Sequence, residues 1–95
     1  MEFTDSDKAY LRKQYGNEKA FQEDLPYLMI WADRTRYELL KKDGSLEKRI
    51  SRASAIRLLG RNGWLSGITR ATFHWTAMRE LPNGKLVYFD ASRHC

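Results

Sequence analysis

Apolar positions recur at helical spacing through the first three quarters of the chain and alternate with polar ones near its end. Thr4, Asp5 and Ser6 are suited to an N-cap, and Asp5 and Asp7 complement the positive end of a helix dipole, which predicts a helix from Asp5 to Tyr15, stopped by Gly16. Its apolar content is thin, Ala9, Tyr10 and Leu11, so it should pack by one edge. Asn17 caps a short second helical stretch through Glu18, Ala20 and Phe21 that should end near Asp24, because Leu25 precedes a proline. A third helix is predicted from Pro26 to Lys42, with Leu28, Trp31, Ala32, Thr35 and Leu39 on one face and Trp31 as its anchor. The same stretch admits a second reading: Tyr37–Lys42 and Leu46–Ile50 flank Asp43-Gly44-Ser45 and could pair as a hairpin. The adjacent Leu39 and Leu40, with charges on both faces, favour the helix.

Ser51 then caps a helix from Arg52 to Leu59 that ends at Gly60, its stripe formed by Ala55, Leu58 and Leu59. After the turn-prone Arg61-Asn62-Gly63, a short helix from Trp64 to about Thr72 buries Leu65 and Ile68 and turns Ser66, Thr69, Arg70 and, at its edge, Phe73 outward. Gly67 inside it costs about 1 kcal/mol relative to alanine, so the helix is short or something approaches its backbone closely. Two short helices joined by a glycine-containing turn, the second rich in hydroxyls and arginine, make a helix-turn-helix pattern. From Phe73 the period changes to two. Phe73, Trp75, Ala77 and Arg79 alternate with His74, Thr76, Met78 and Glu80, and Lys85, Val87 and Phe89 with Leu86, Tyr88 and Asp90. Leu81-Pro82-Asn83-Gly84 between them fits a type I turn, which predicts an antiparallel hairpin. Residues 91–95 read as a frayed tail.

The expectation is therefore an α+β fold: a small single domain of three to five short helices with a C-terminal antiparallel β-hairpin, winged-helix-like. Residues 1–48 form a near-neutral helical scaffold, and 49–90 carry the basic helix-turn-helix and the hairpin wing. Charge sharpens the division. Lys and Arg number nine against ten acids in residues 1–48, a net of −1, but eight against two in residues 49–95, a net of +6. Arg49, Arg52, Arg57, Arg61, Arg70 and Arg79 follow one another with no acid until Glu80. Guanidinium groups without counter-charges favour a polyanion, whose counterions are released on binding, and the planar fork of arginine grips a phosphate or a guanine edge with two bonds. The candidate nucleic-acid contacts are Arg49, Arg52, Arg57, Arg61, Ser66, Thr69, Arg70, Arg79 and Lys85, for DNA in preference to RNA or for a nucleoprotein. The alternative is a solvated basic face.

Other chemistry is thinly represented. The lone Cys95 allows no intramolecular disulfide and no cysteine-based zinc site, which fits a reducing, cytoplasmic setting. No apolar run approaches bilayer length, and the acidic start does not resemble a signal peptide. Asp90, His94 and Cys95 at the tail are a poor metal set, and His74 reads as a strand residue. Gly60, Gly63 and Gly67 lack the strand and the Lys-Ser/Thr of a phosphate loop, and no serine shows a nucleophile elbow, so neither a cofactor nor an enzymatic activity is expected. Trp64, Phe73, Trp75, Tyr88 and Phe89 have two readings: core filling, which a chain this small needs, or an exposed platform for stacking bases.

Ser51-Arg52, Ala55, Leu58-Leu59-Gly60 and Tyr88-Phe89-Asp90 stand where winged helices of the excisionase and mercury-resistance-regulator type have a Ser-Arg-capped helix ending in Leu-Leu-Gly and a wing closing on Phe-Asp. Over roughly 40 positions the second half resembles that family. The resemblance implies a DNA-binding regulator with a recognition helix after Gly60, and palindromic reading by it would require a homodimer. In type, the chain also looks like the small accessory proteins of phages and mobile elements, some of which are inhibitors or adaptors acting on a host protein or nucleoprotein, such as anti-CRISPR proteins.

Overall fold

The structure, a computed structural model, describes residues 2–92. It is α+β, in the order α1 (Asp5–Tyr15), α2 (Glu18–Arg34), β1 (Arg36–Leu40), β2 (Leu46–Ile50), α3 (Arg52–His74), β3 (Thr76–Glu80) and β4 (Leu86–Asp90). The strands form one antiparallel sheet ordered β2-β1-β4-β3.

Helix α1 has the expected bounds, closed by a capping box in which Thr4 and Asp7 satisfy each other's backbone N–H, and by a left-handed Gly16. The two helices expected around Pro26 are one. Asn17 caps α2, and Phe21, Leu28 and Ala32 bury a continuous face across the proline. Packing of that face outweighs the backbone hydrogen bond that Pro26 removes. Trp31 is only half-buried, and the central anchor is Trp64, which is fully buried.

Residues 36–50 correct the helical reading of Pro26–Lys42: α2 stops at Arg34, and β1 and β2 make a hairpin around Asp43-Gly44. Its turn matches the one at Asn83-Gly84. In both, the Asp or Asn side chain accepts from the backbone N–H two residues on, at 2.9 and 3.0 Å, and the glycine is left-handed. The chain thus runs helix, strand, turn, strand twice, Arg36 and Leu46 preceding their counterparts Thr76 and Leu86 by 40 residues. The second hairpin lies beside the first in the same orientation, and the hairpin read as a wing supplies an interior strand, β4, and an edge strand, β3.

Gly60 breaks α3 as expected, with φ 76° and ψ 161°, but the residues after it are helical at once. Arg61-Asn62-Gly63 therefore opens the second helical segment instead of forming a turn, and that segment continues through His74. The expected strand start at Phe73 moves to Thr76. Leu58, expected inside, is exposed.

Tyr37, Leu39, Ala77, Val87 and Phe89 face the helices and join Leu65, Ile68 and Ala71 in the core. Trp64 Nε1 donates to Tyr37 Oη at 2.8 Å, and burial pushes that phenol up to about 12. Gly67 is the close approach the sequence suggested: a Cβ there would lie 2.2 Å from the Phe89 ring. Ala91 is buried and donates to Trp75 O, so it does not fray; residues 93–95 lie outside the described residues. No helix among the described residues is long and apolar enough to cross a membrane.

Candidate nucleic-acid interface

Folding divides the nine candidate residues into three groups. Arg52, Arg61 and Lys85 are neutralised by carboxylates of the first half, which corrects the expectation that the basic half stands uncancelled. Arg52 donates to Asp33 at 3.1 Å, and Lys85 to Glu47 at 2.8 Å. Arg61 grips Asp7 with Nε and a terminal nitrogen at 2.9 and 2.8 Å while its guanidinium lies 5.0 Å from the centre of the Trp64 ring. The fork geometry suits a carboxylate as well as a phosphate, and here it is spent on one. The hydrogen bond from Arg61 holds the Asp7 carboxyl below its ordinary range, and Arg52 and Lys85 do the same for Asp33 and Glu47.

Arg49 and Arg57 are exposed and make no ion pair among the described residues, but neither belongs to a cationic cluster. Arg57 donates to Ser54 Oγ at 2.9 Å on the first segment of α3. Arg49 stands on the open face of the sheet beside Arg36, in a depression that Glu38 and Asp90 also line, so charge there is mixed.

The remaining four converge. Ser66, Thr69, Arg70 and Arg79 line one cleft of about 300 Å3 between α1, the second segment of α3 and β3. The geometry follows from the sequence. Ser66, Thr69, Arg70 and Phe73 fall on one flank of the helix at spacings of three, four and seven, beside the buried stripe of Leu65, Ile68 and Thr72. Tyr10 and Gln14, one turn apart on α1, form the facing wall with Leu11, and His74 and Arg79 close the end. Arg79 is fixed: its guanidinium donates to Ser66 Oγ and to Met78 O, each at 2.9 Å. Arg70 is exposed and makes no ion pair among the described residues. The lining holds two guanidinium groups, an imidazole and several hydroxyl and amide groups, and no carboxylate.

Sequence reasoning missed the wall from α1 and the place of His74, which it put in a strand; Phe73 it set at the start of that strand, but also at the edge of the exposed helix flank and among the possible stacking rings. The aromatic set also divides. Trp64 and Phe89 are wholly buried and Tyr88 is half-buried, but Phe73 and Trp75 are 47% and 57% exposed. No cluster of three or more potential metal ligands occurs among the described residues; the tail set drawn from His94 and Cys95 lies outside them. No protein-family model matches the chain, and neither a curated protein nor a solved structure does.

Proposed function

We propose that the protein is a small basic nucleic-acid-binding module, with DNA as partner in preference to RNA, and that its phosphate-gripping site is the α1–α3–β3 cleft. The observation that carries this reading is the composition of that lining: Arg70, Arg79 and His74 together with hydroxyl and amide donors, and no carboxylate. Elsewhere Arg61 and Arg52 meet Asp7 and Asp33, Arg49 shares its depression with Glu38 and Asp90, and Arg57 stands apart beside Ser54; among the described residues, only in the cleft do two arginines come together with no carboxylate. A phosphodiester entering the cleft replaces water around Arg70 and gains charge-assisted hydrogen bonds without first breaking an ion pair.

A winged-helix mode would lay the second segment of α3 in a major groove with β3–β4 as wing. It would have to contend with α1 on the flank of that helix and with β4 inside the sheet, whereas the cleft uses the fold as it stands. The alternative role, a mobile-element inhibitor or adaptor of the anti-CRISPR kind bound to a host protein or nucleoprotein, draws support from Tyr27 and Ile30, exposed on α2. Its signature is co-elution with a larger partner and indifference to free nucleic acid.

Fluorescence anisotropy with labelled DNA over a salt series tests the proposal. The logarithm of affinity should fall linearly with the logarithm of salt concentration, and Arg70→Ala should reduce the slope by about one. Salt-insensitive association, or none at low salt, overturns it.

A further inference from the structure

Resting on that reading, we infer that the cleft takes a single strand, not a duplex: one phosphate held by Arg70 and Arg79, one base stacked on Phe73, and the neighbouring base on Trp75. Three observations converge on this mode.

The first is steric. A helix with its side chains is about 10–12 Å across and fills a major groove about 12 Å wide. The flank of α3 that carries Ser66, Thr69, Arg70 and Phe73 has α1 against it, with Tyr10 and Gln14 as the opposite wall. Two helices side by side do not enter that groove. A cleft of about 300 Å3 is at the small end for ligand sites, which suits one nucleotide unit.

The second is the placement of apolar rings. Phe73 lines the cleft beside Arg70 and is 47% exposed; Trp75, two residues on, is 57% exposed. Cationic side chains that track the backbone, interleaved with rings that take successive bases, are what a single strand needs, and a paired duplex does not offer its base faces.

The third is backbone strain. Trp75 has φ 71° and ψ −28°, the one non-glycine residue with positive φ among the described residues, at the position that closes α3. Glycine would fit there without strain, yet the position carries a large ring with more than half of the residue in water. The left-handed turn instead sets the indole at the end of the helix that carries Phe73.

Binding of a short oligothymidylate, an oligouridylate and a DNA duplex of the same length, read by tryptophan fluorescence, tests this. The single strands should bind at least tenfold more tightly than the duplex and quench the emission of the exposed Trp75. Phe73→Leu should weaken single-strand binding about tenfold and Phe73→Tyr should leave it intact, both at unchanged melting temperature. Equal or tighter duplex binding, or an indifferent Phe73→Leu, overturns the single-strand mode while leaving the basic cleft as a nucleic-acid site. Failure of all three probes to bind at low salt overturns both.

Discussion

Asp7 and Arg61, 54 positions apart, form a two-pronged ion pair that ties the first turn of α1 to the start of the second segment of α3. The carboxylate is buried, its side chain 2% exposed, while the Arg61 side chain is 40% exposed. The pair therefore breaks asymmetrically. Arg61→Ala strands a buried carboxylate and uncovers Trp64, and should cost about 2–3 kcal/mol; Asp7→Asn leaves an arginine that can rehydrate and should cost about 1. Urea denaturation of the two variants checks the ordering.

The same pair sets a pH dependence. Arg61 holds the folded-state pKa of Asp7 below the usual 3.8, so the unfolded chain takes up the proton first. Its contribution is whole above that usual value and is lost as pH falls through the lower folded value. Wild-type stability should therefore decline more steeply with acid than that of Asp7→Asn below about pH 4, as read from urea midpoints.

Gly67 has a packing role that opposes its helix propensity. A methyl group there gains about 1 kcal/mol of propensity but strikes the buried Phe89 ring, an overpacking cost of about 1–3 kcal/mol or more, so Gly67→Ala should lower the melting temperature. The double variant Gly67→Ala/Phe89→Leu should recover part of that loss.

Gly60→Ala should destabilise by about 1–3 kcal/mol, although space around the residue is open, because φ 76° with ψ 161° is a conformation essentially restricted to glycine. At Trp75 two effects oppose. Trp75→Gly removes strain of about 1–2 kcal/mol but also the covered part of a residue that is 57% exposed, apolar burial worth about as much, so the melting temperature should change little while single-strand affinity falls. A marked loss of stability would show that the indole is held by packing.

The bounds of α1, the Ser51 cap, the break at Gly60, the close approach at Gly67 and the β3–β4 turn were legible because each is a local signal: a capping side chain, a glycine or a turn sequence. The β1–β2 hairpin was visible as a second reading, which its own irregularity set behind the helix. The register slips between Leu39 and Leu40, so that Leu39 pairs with Lys48 but Leu40 with Leu46, and the skipped Glu47 spoils the alternation that marks a strand. Pairing of β1 with β4, distant in sequence, then fixes the strand. For the site, helical spacing was enough to put Ser66, Thr69 and Arg70 together. What it lacked was tertiary: which basic side chains α1, α2 and β2 would neutralise, and that Tyr10 and Gln14 would wall the cleft.

The central claim is that the carboxylate-free cleft, and not the other arginines, receives the nucleic acid. Titrating isotopically labelled protein with an oligonucleotide while following backbone and side-chain resonances tests it most directly. The expected result is shifts concentrated at Tyr10, Gln14, Ser66, Thr69, Arg70, Phe73, His74 and Arg79, with Arg36, Arg49 and Arg57 little moved. Shifts centred on Arg36 and Arg49, or spread evenly over the arginines, would contradict it.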